Sequence, residues 1–129
     1  MPSGVDEDTE MISEIINGFR RANNKEPLYL NRELTLGAKN FAHSMLPRFE
    51  EIEHGVINPY TPPERRHGWE YEFGAFGNSE NAEEFAKDAV VKWIEESAIY
   101  NKQLLEAQSE MGIGLATHGK RVFLSVRLC

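Results

Sequence analysis

Apolar residues return at helical spacing in three stretches of this chain and alternate with other residues in one. Met11, Ile12, Ile15, Ile16, Phe19 and Ala22 predict a helix over Glu10 to Asn23, with Thr9 as a cap candidate and Arg20-Arg21 near the negative end of its dipole. Leu34, Ala38, Phe41, Ala42 and Met45 predict a second helix, capped by Asn31 and limited by Pro47, which pushes its predecessor out of helical geometry. Phe85, Ala86, Ala89, Val90, Trp93 and Ile94 predict a third over Glu83 to Glu96. Asn81 is its expected N-cap, and Glu84 lies three residues on, where a carboxylate reaches back to the cap. Near the end, Val122, Leu124, Val126 and Leu128 alternate with Phe123, Ser125 and Arg127. With Met111 to Thr117 before His118-Gly119-Lys120, this predicts a β-hairpin with one face on a core.

The intervals set the organisation. Residues 1–9 are small and acidic and are expected to fray as a disordered tail, leaving one domain over 10–129. Asn23 to Pro27 reads as a loop leading to a short apolar link, Leu28-Tyr29-Leu30. Between Arg48 and Asn78 the helical pattern dissolves, and the expectation is a long loop anchored by Trp69, Tyr71, Phe73 and Phe76. Ser97 to Glu110 fits no single pattern, although Tyr100, Leu104 and Leu105 can pack. Helices followed by a terminal hairpin predict an α+β domain in which helices cover an antiparallel sheet.

Composition narrows the function classes. At 129 residues the chain is long enough to bury a core without covalent help, and its one cysteine, Cys129, allows no internal disulfide. A net charge of -7 argues against a phosphate-backbone binder, so nucleic acid is not an expected partner. No apolar run approaches the roughly 20 residues of a membrane span. Residues 1–9 carry no charged-then-apolar leader, which leaves open a cytoplasmic protein or one whose leader was removed.

Candidate chemistry is sparse. There is no nucleophile elbow, no His-Glu-x-x-His pair and no glycine-rich phosphate loop, so no catalytic residue is assigned. Ser79 beside Glu80 reads as a capping or turn residue rather than a nucleophile. Of the four histidines, His43, His67 and His118 read as surface or hydrogen-bonded residues, whereas His54 follows Glu53 at the opening of the irregular stretch.

In order and spacing, several short motifs resemble the CAP superfamily of cysteine-rich secretory, antigen 5 and pathogenesis-related 1 proteins, and in particular its cysteine-poor bacterial-type members. They are Ile16-Asn17 with Arg20, Pro27-Leu28, Asn31, Glu33-Leu34 and Ala38, Glu53-His54, Thr61-Pro62 with Arg65, Ser79-Glu80-Asn81-Ala82, Ala89-Val90 with Trp93, Glu96 and Tyr100, and Met111 to Gly114. The resemblance runs from about Ile15 to Leu128. It implies a three-layer α-β-α sandwich, with a small antiparallel sheet covered by helices on both faces. It also implies a cleft where two histidines and two glutamates converge, sometimes on a divalent cation. His54, Glu80 and Glu96 match three of those positions, with Ser79 in place of the glycine of a Gly-Glu-Asn motif. The second histidine has no counterpart in Leu104 to Glu110, and where bacterial-type members carry a histidine this chain has Tyr100.

One imidazole and two carboxylates could hold Zn²⁺ or Mg²⁺ with water, or form a metal-free hydrogen-bonded cluster; the residues leave both open. The resemblance implies a non-enzymatic binding module whose polar cleft, with Tyr100 and Ser79 beside it, takes a small ligand, lipid or protein partner. It also implies an extracellular or secreted setting. A metal-assisted hydrolase using His54, Glu80 and Glu96 is the first alternative, and a structural domain with a vestigial site is the second.

Overall fold

A computed structural model describes residues 7–55, 71–107 and 109–129. Among the described residues the helices are α1 (Glu7–Ala22), α2 (Arg32–Met45), α3 (Phe49–Glu53), α4 (Ala82–Glu96) and α5 (Ala98–Glu106), with a 3₁₀ turn at Leu46–Arg48. The strands described are β1 (Tyr29–Leu30), β2 (Tyr71–Asn78), β3 (Glu110–His118) and β4 (Arg121–Leu128). They form one sheet in the order β1-β3-β4-β2. β3 is antiparallel to β4 and β4 to β2, while the two-residue β1 runs parallel to β3, which makes the sheet mixed rather than wholly antiparallel. The hairpin closes with His118 opposite Arg121, and Gly119 takes the positive φ of 61° that its tight turn requires.

The sheet is covered on both faces. Alternation puts Phe73, Met111, Ile113, Leu124, Val126 and Leu128 into one core with Ile12 and Ile16 of α1, Ala86, Val90 and Trp93 of α4, and Leu104 of α5. The opposite parity puts Phe76, Ala116 and Phe123 into a second core with Ala42, Met45, Leu46, Phe49 and Ile52. Both residue sets of β4 are therefore buried, where the sequence pattern suggested one covered face.

The helix caps follow residue chemistry. Asn31 Oδ1 accepts from the Leu34 N–H at 2.9 Å, while its Nδ2 donates to Glu110 Oε2 at 2.7 Å, tying the start of α2 to β3. Asn17 grips the Pro27-Leu28 link by accepting from the Leu28 N–H at 2.8 Å and donating to its carbonyl at 3.1 Å.

The structure revises several expectations. α1 begins at Glu7, so residues 7–9 are helical rather than part of a frayed tail, and Thr9 is buried within the helix instead of capping it. Three acidic residues in the first turn favour the early start. Arg20 lies in the last turn of α1 as expected, and is only 2% exposed. Its guanidinium donates to the carbonyls of Glu26 and Leu104, each at 2.8 Å, and burial lowers its pKa from the ordinary arginine value. The stretch from Arg48 to Asn78, read as a long loop, contains α3 and all of β2, so Tyr71, Phe73 and Phe76 are strand residues. Ser97 to Glu110 resolves into α5, capped by the Ser97 hydroxyl, and the first residue of β3. Trp69, His67, Thr61-Pro62 and Arg65 lie outside the described residues.

Candidate functional site

Helix α4 lies beside β2, and their junction is fixed at its upper end by a short polar turn. Asn81 Oδ1 accepts from the Glu84 N–H at 3.1 Å, as expected of an N-cap. The Asn81 N–H donates to Ser79 Oγ at 3.1 Å, which fills the place the sequence reading gave to the Glu84 carboxylate. Ser79 Oγ also donates to the Asn81 carbonyl at 2.9 Å, so this serine is a turn former. At the lower end, Asn101 Nδ2 donates to the Ile94 carbonyl at 2.7 Å and holds α5 against α4.

Between the two runs an open groove of about 660 Å³. β2 supplies Gly74, Ala75, Phe76 and Asn78 to its lining, followed by Ser79. α4 supplies two parallel rows, the exposed Glu84, Asp88, Lys92 and Glu96 and the more buried Phe85, Ala89 and Trp93. Tyr100 closes the end. Its ring lies 4.7 Å from Phe73 and 5.9 Å from Trp93, an aromatic triangle that stiffens this wall.

Of the anticipated site residues, the groove gathers Ser79, Glu96 and Tyr100. Glu80 is exposed and ion-pairs with Lys120 at 3.3 Å. His54 is exposed as the C-cap of α3, whose Phe49 and Ile52 pack on the opposite face of the sheet from α4. The expected trio of His54, Glu80 and Glu96 is accordingly not drawn into one metal centre. No group of three His, Cys, Asp or Glu side chains able to hold an ion occurs among the described residues. The physical reason is length: Glu80 precedes and Glu96 ends a helix of 15 residues, which at 1.5 Å per residue is roughly 22 Å long. Two carboxylates so separated cannot share Zn²⁺ or Mg²⁺, and metal-assisted hydrolysis by this trio has no geometric support.

A pair that sequence reasoning missed lies on the other face. Glu72 and Arg127, cross-strand partners on β2 and β4, approach to 3.7 Å with side chains 4% and 12% exposed. The Arg127 guanidinium also sits 5.6 Å from the Phe41 ring centre. The alternation put Arg127 in the β4 set opposite the core-facing residues, and Glu72 had no place because its strand reads as loop.

With fold and site in view, comparison with known proteins is decisive on family. The sequence model described as CAP, the cysteine-rich secretory protein family, matches residues 14–128. The chain belongs to the CAP family. Similar solved structures carry the same fold. An outer surface protein of Borrelia burgdorferi aligns over 96% of this chain and 95% of its own, with a TM-score of 0.60 and 14% identity. A cysteine-rich secretory protein of Staphylococcus aureus aligns over 95% of this chain and 38% of its own, with a TM-score of 0.55 and 14% identity. An extracellular protein of Bacillus anthracis containing an SCP domain aligns over 95% of this chain and 40% of its own, with a TM-score of 0.50 and 12% identity. This CAP domain thus spans about two fifths of those last two chains. A search of curated proteins returns no match. Among the described residues, no helix is long and apolar enough to cross a membrane.

Proposed function

We propose that this CAP domain is a binding module whose ligand site is the groove between β2 and α4. The observation that carries the reading is one open groove that runs from Ser79 at its upper end to Glu96 and Tyr100 at its lower end, with an aromatic wall and a charged rim. Apolar surface beside a few fixed polar groups is the usual make-up of a recognition site. Its ligand belongs to the small-molecule, lipid or protein classes that such a mixed wall accommodates, and it is held without a metal bridge through His54 and Glu80. Two of the structural relatives are an outer surface protein and an extracellular protein, which supports a role for this domain outside the cytoplasm.

The test is a residue-resolved NMR titration with a panel of short-chain lysolipids, small amphiphiles and peptides. Shifts confined to Gly74–Ser79 and the Glu84–Glu96 stripe, and weakened in a Glu96→Gln/Tyr100→Phe variant, are expected. Shifts confined to other surfaces, or none across the panel, would overturn the reading.

A further inference from the structure

The groove differs from an ordinary pocket in having a strand edge as one wall. β2 is the last strand of the sheet, and among the described residues no strand pairs with its outer side. In an antiparallel ladder alternate residues turn their N–H and C=O groups away from the partner, so β2 presents hydrogen-bonding groups outward. Its groove-lining residues include neighbours of both parities, Gly74, Ala75 and Phe76, which happens when a groove runs along an edge rather than over a face. Natural sheets usually guard such an edge with lysine, proline or a bulge. Beyond Glu72, whose carboxylate turns inward to Arg127, Gly74-Ala75-Phe76-Gly77-Asn78 carries no charge and no proline.

Taking the binding reading above as its basis, we propose that this edge accepts an extended, lysine- or arginine-bearing peptide of a partner protein as an additional strand, with α4 as the facing wall. The periodicities fit. Glu84, Asp88, Lys92 and Glu96 recur every four residues, about 6 Å apart along a helix axis, and same-side residues of a strand recur about every 6.7 Å. Alternate side chains of an added strand can therefore follow that row, while the others point to the opposite face of the extended sheet, away from α4. The row carries three carboxylates against one ammonium, on a chain of net charge -7, so it selects a basic peptide. The same charge disfavours a second copy of this chain, because edge-to-edge pairing would bring two acidic rows together. Strand addition draws affinity from main-chain hydrogen bonds and specificity from alternate side chains.

The probes are acetyl-Lys-Val-Lys-Val-Lys-Val-amide, its Glu-for-Lys counterpart, and two forms of the basic peptide N-methylated at the lysines or at the valines. An added strand uses only one of its edges. One methylated form should therefore lose about tenfold in affinity or more while the other binds nearly as the parent does, with NMR shifts on Gly74–Ser79. The acidic peptide should fail, and Glu84→Gln/Asp88→Asn should weaken the basic one severalfold without altering the spectrum elsewhere. Equal binding of both methylated forms, or dimerisation through β2 in sedimentation, would overturn strand addition. Groove shifts with lysolipid but none with peptide would overturn it while leaving the binding reading intact. Silence from every probe would overturn both.

Discussion

On the α2 face of the sheet, helix and strands touch backbone to backbone; on the α4 face they meet through large side chains and part along an edge. A Cβ at Gly112 would lie 2.2 Å from the Leu34 carbonyl carbon, and one at Gly114 2.3 Å from backbone atoms of Ala38 and Lys39. Only glycine permits that approach. Across the sheet, Phe73, Trp93 and Tyr100 fill the space by edge-on and tilted ring contacts, and an open groove remains between α4 and β2. The difference teaches where a small domain of this kind has room for a ligand. The tightly joined face sets the sheet's shape, and the face built from bulky groups carries the opening.

The contrast can be broken most severely on the α2 side. Gly112→Val should cost about 3 kcal/mol or more, because overpacking here meets main chain that cannot step aside. In a thermal melt this appears as a fall of about 10 °C or loss of folded protein, and an unchanged midpoint would refute the close-approach account.

On the other face, Arg20→Met should cost about 3 kcal/mol in chemical denaturation, since it leaves the Glu26 and Leu104 carbonyls without their charged donor. The sign of its pH dependence follows from burial. A lowered folded-state pKa means the folded protein binds that proton less tightly, so its contribution to stability rises only as pH climbs through the far alkaline range. The deficit of the variant should therefore be flat between about pH 5 and 9. Slope across that window would point to another titrating group.

Asn81→Ala removes the acceptor for the Glu84 N–H and should cost about 1 kcal/mol. It should also loosen the upper end of the groove, read as faster amide exchange in the first turn of α4. The smallest effect is expected at Ser125, fully buried between β4 and α2, where Oγ has no hydrogen-bond partner among the described residues. Ser125→Ala should change stability by less than about 0.5 kcal/mol or raise it, because no bond is lost and a polar burial penalty is removed. A large loss there would mean the α2 face depends on polarity as well as on close packing.

The periodic elements were legible because burial enforces spacing. The faces of α2 and α4, the Asn31 and Asn81 caps and the terminal hairpin stand where the apolar pattern placed them. β2 escaped because its residues divide between two cores while most stay only half-buried, and Glu72 and two glycines interrupt the run, so it reads neither as a clean alternation nor as an apolar stretch. The candidate site was legible in part. Tyr100 and Glu96 share a groove with Ser79, while His54 and Glu80 do not join them. Counting the helix would have shown the reason, since Asn81 caps α4 directly and no loop brings Glu80 back toward Glu96. The match of short motifs carried the family; it did not carry the distances.

If β2, the last strand of the sheet among the described residues, offers a bindable outer edge, native-state hydrogen exchange resolved by residue will reveal it. In the free protein, alternate amides from Gly74 to Asn78 should exchange orders of magnitude faster than those of β4, which is paired on both sides. Saturation with the Lys-Val peptide should then slow those same amides selectively. Uniform protection along β2 in the free protein, or rates untouched by saturating peptide, would contradict the account.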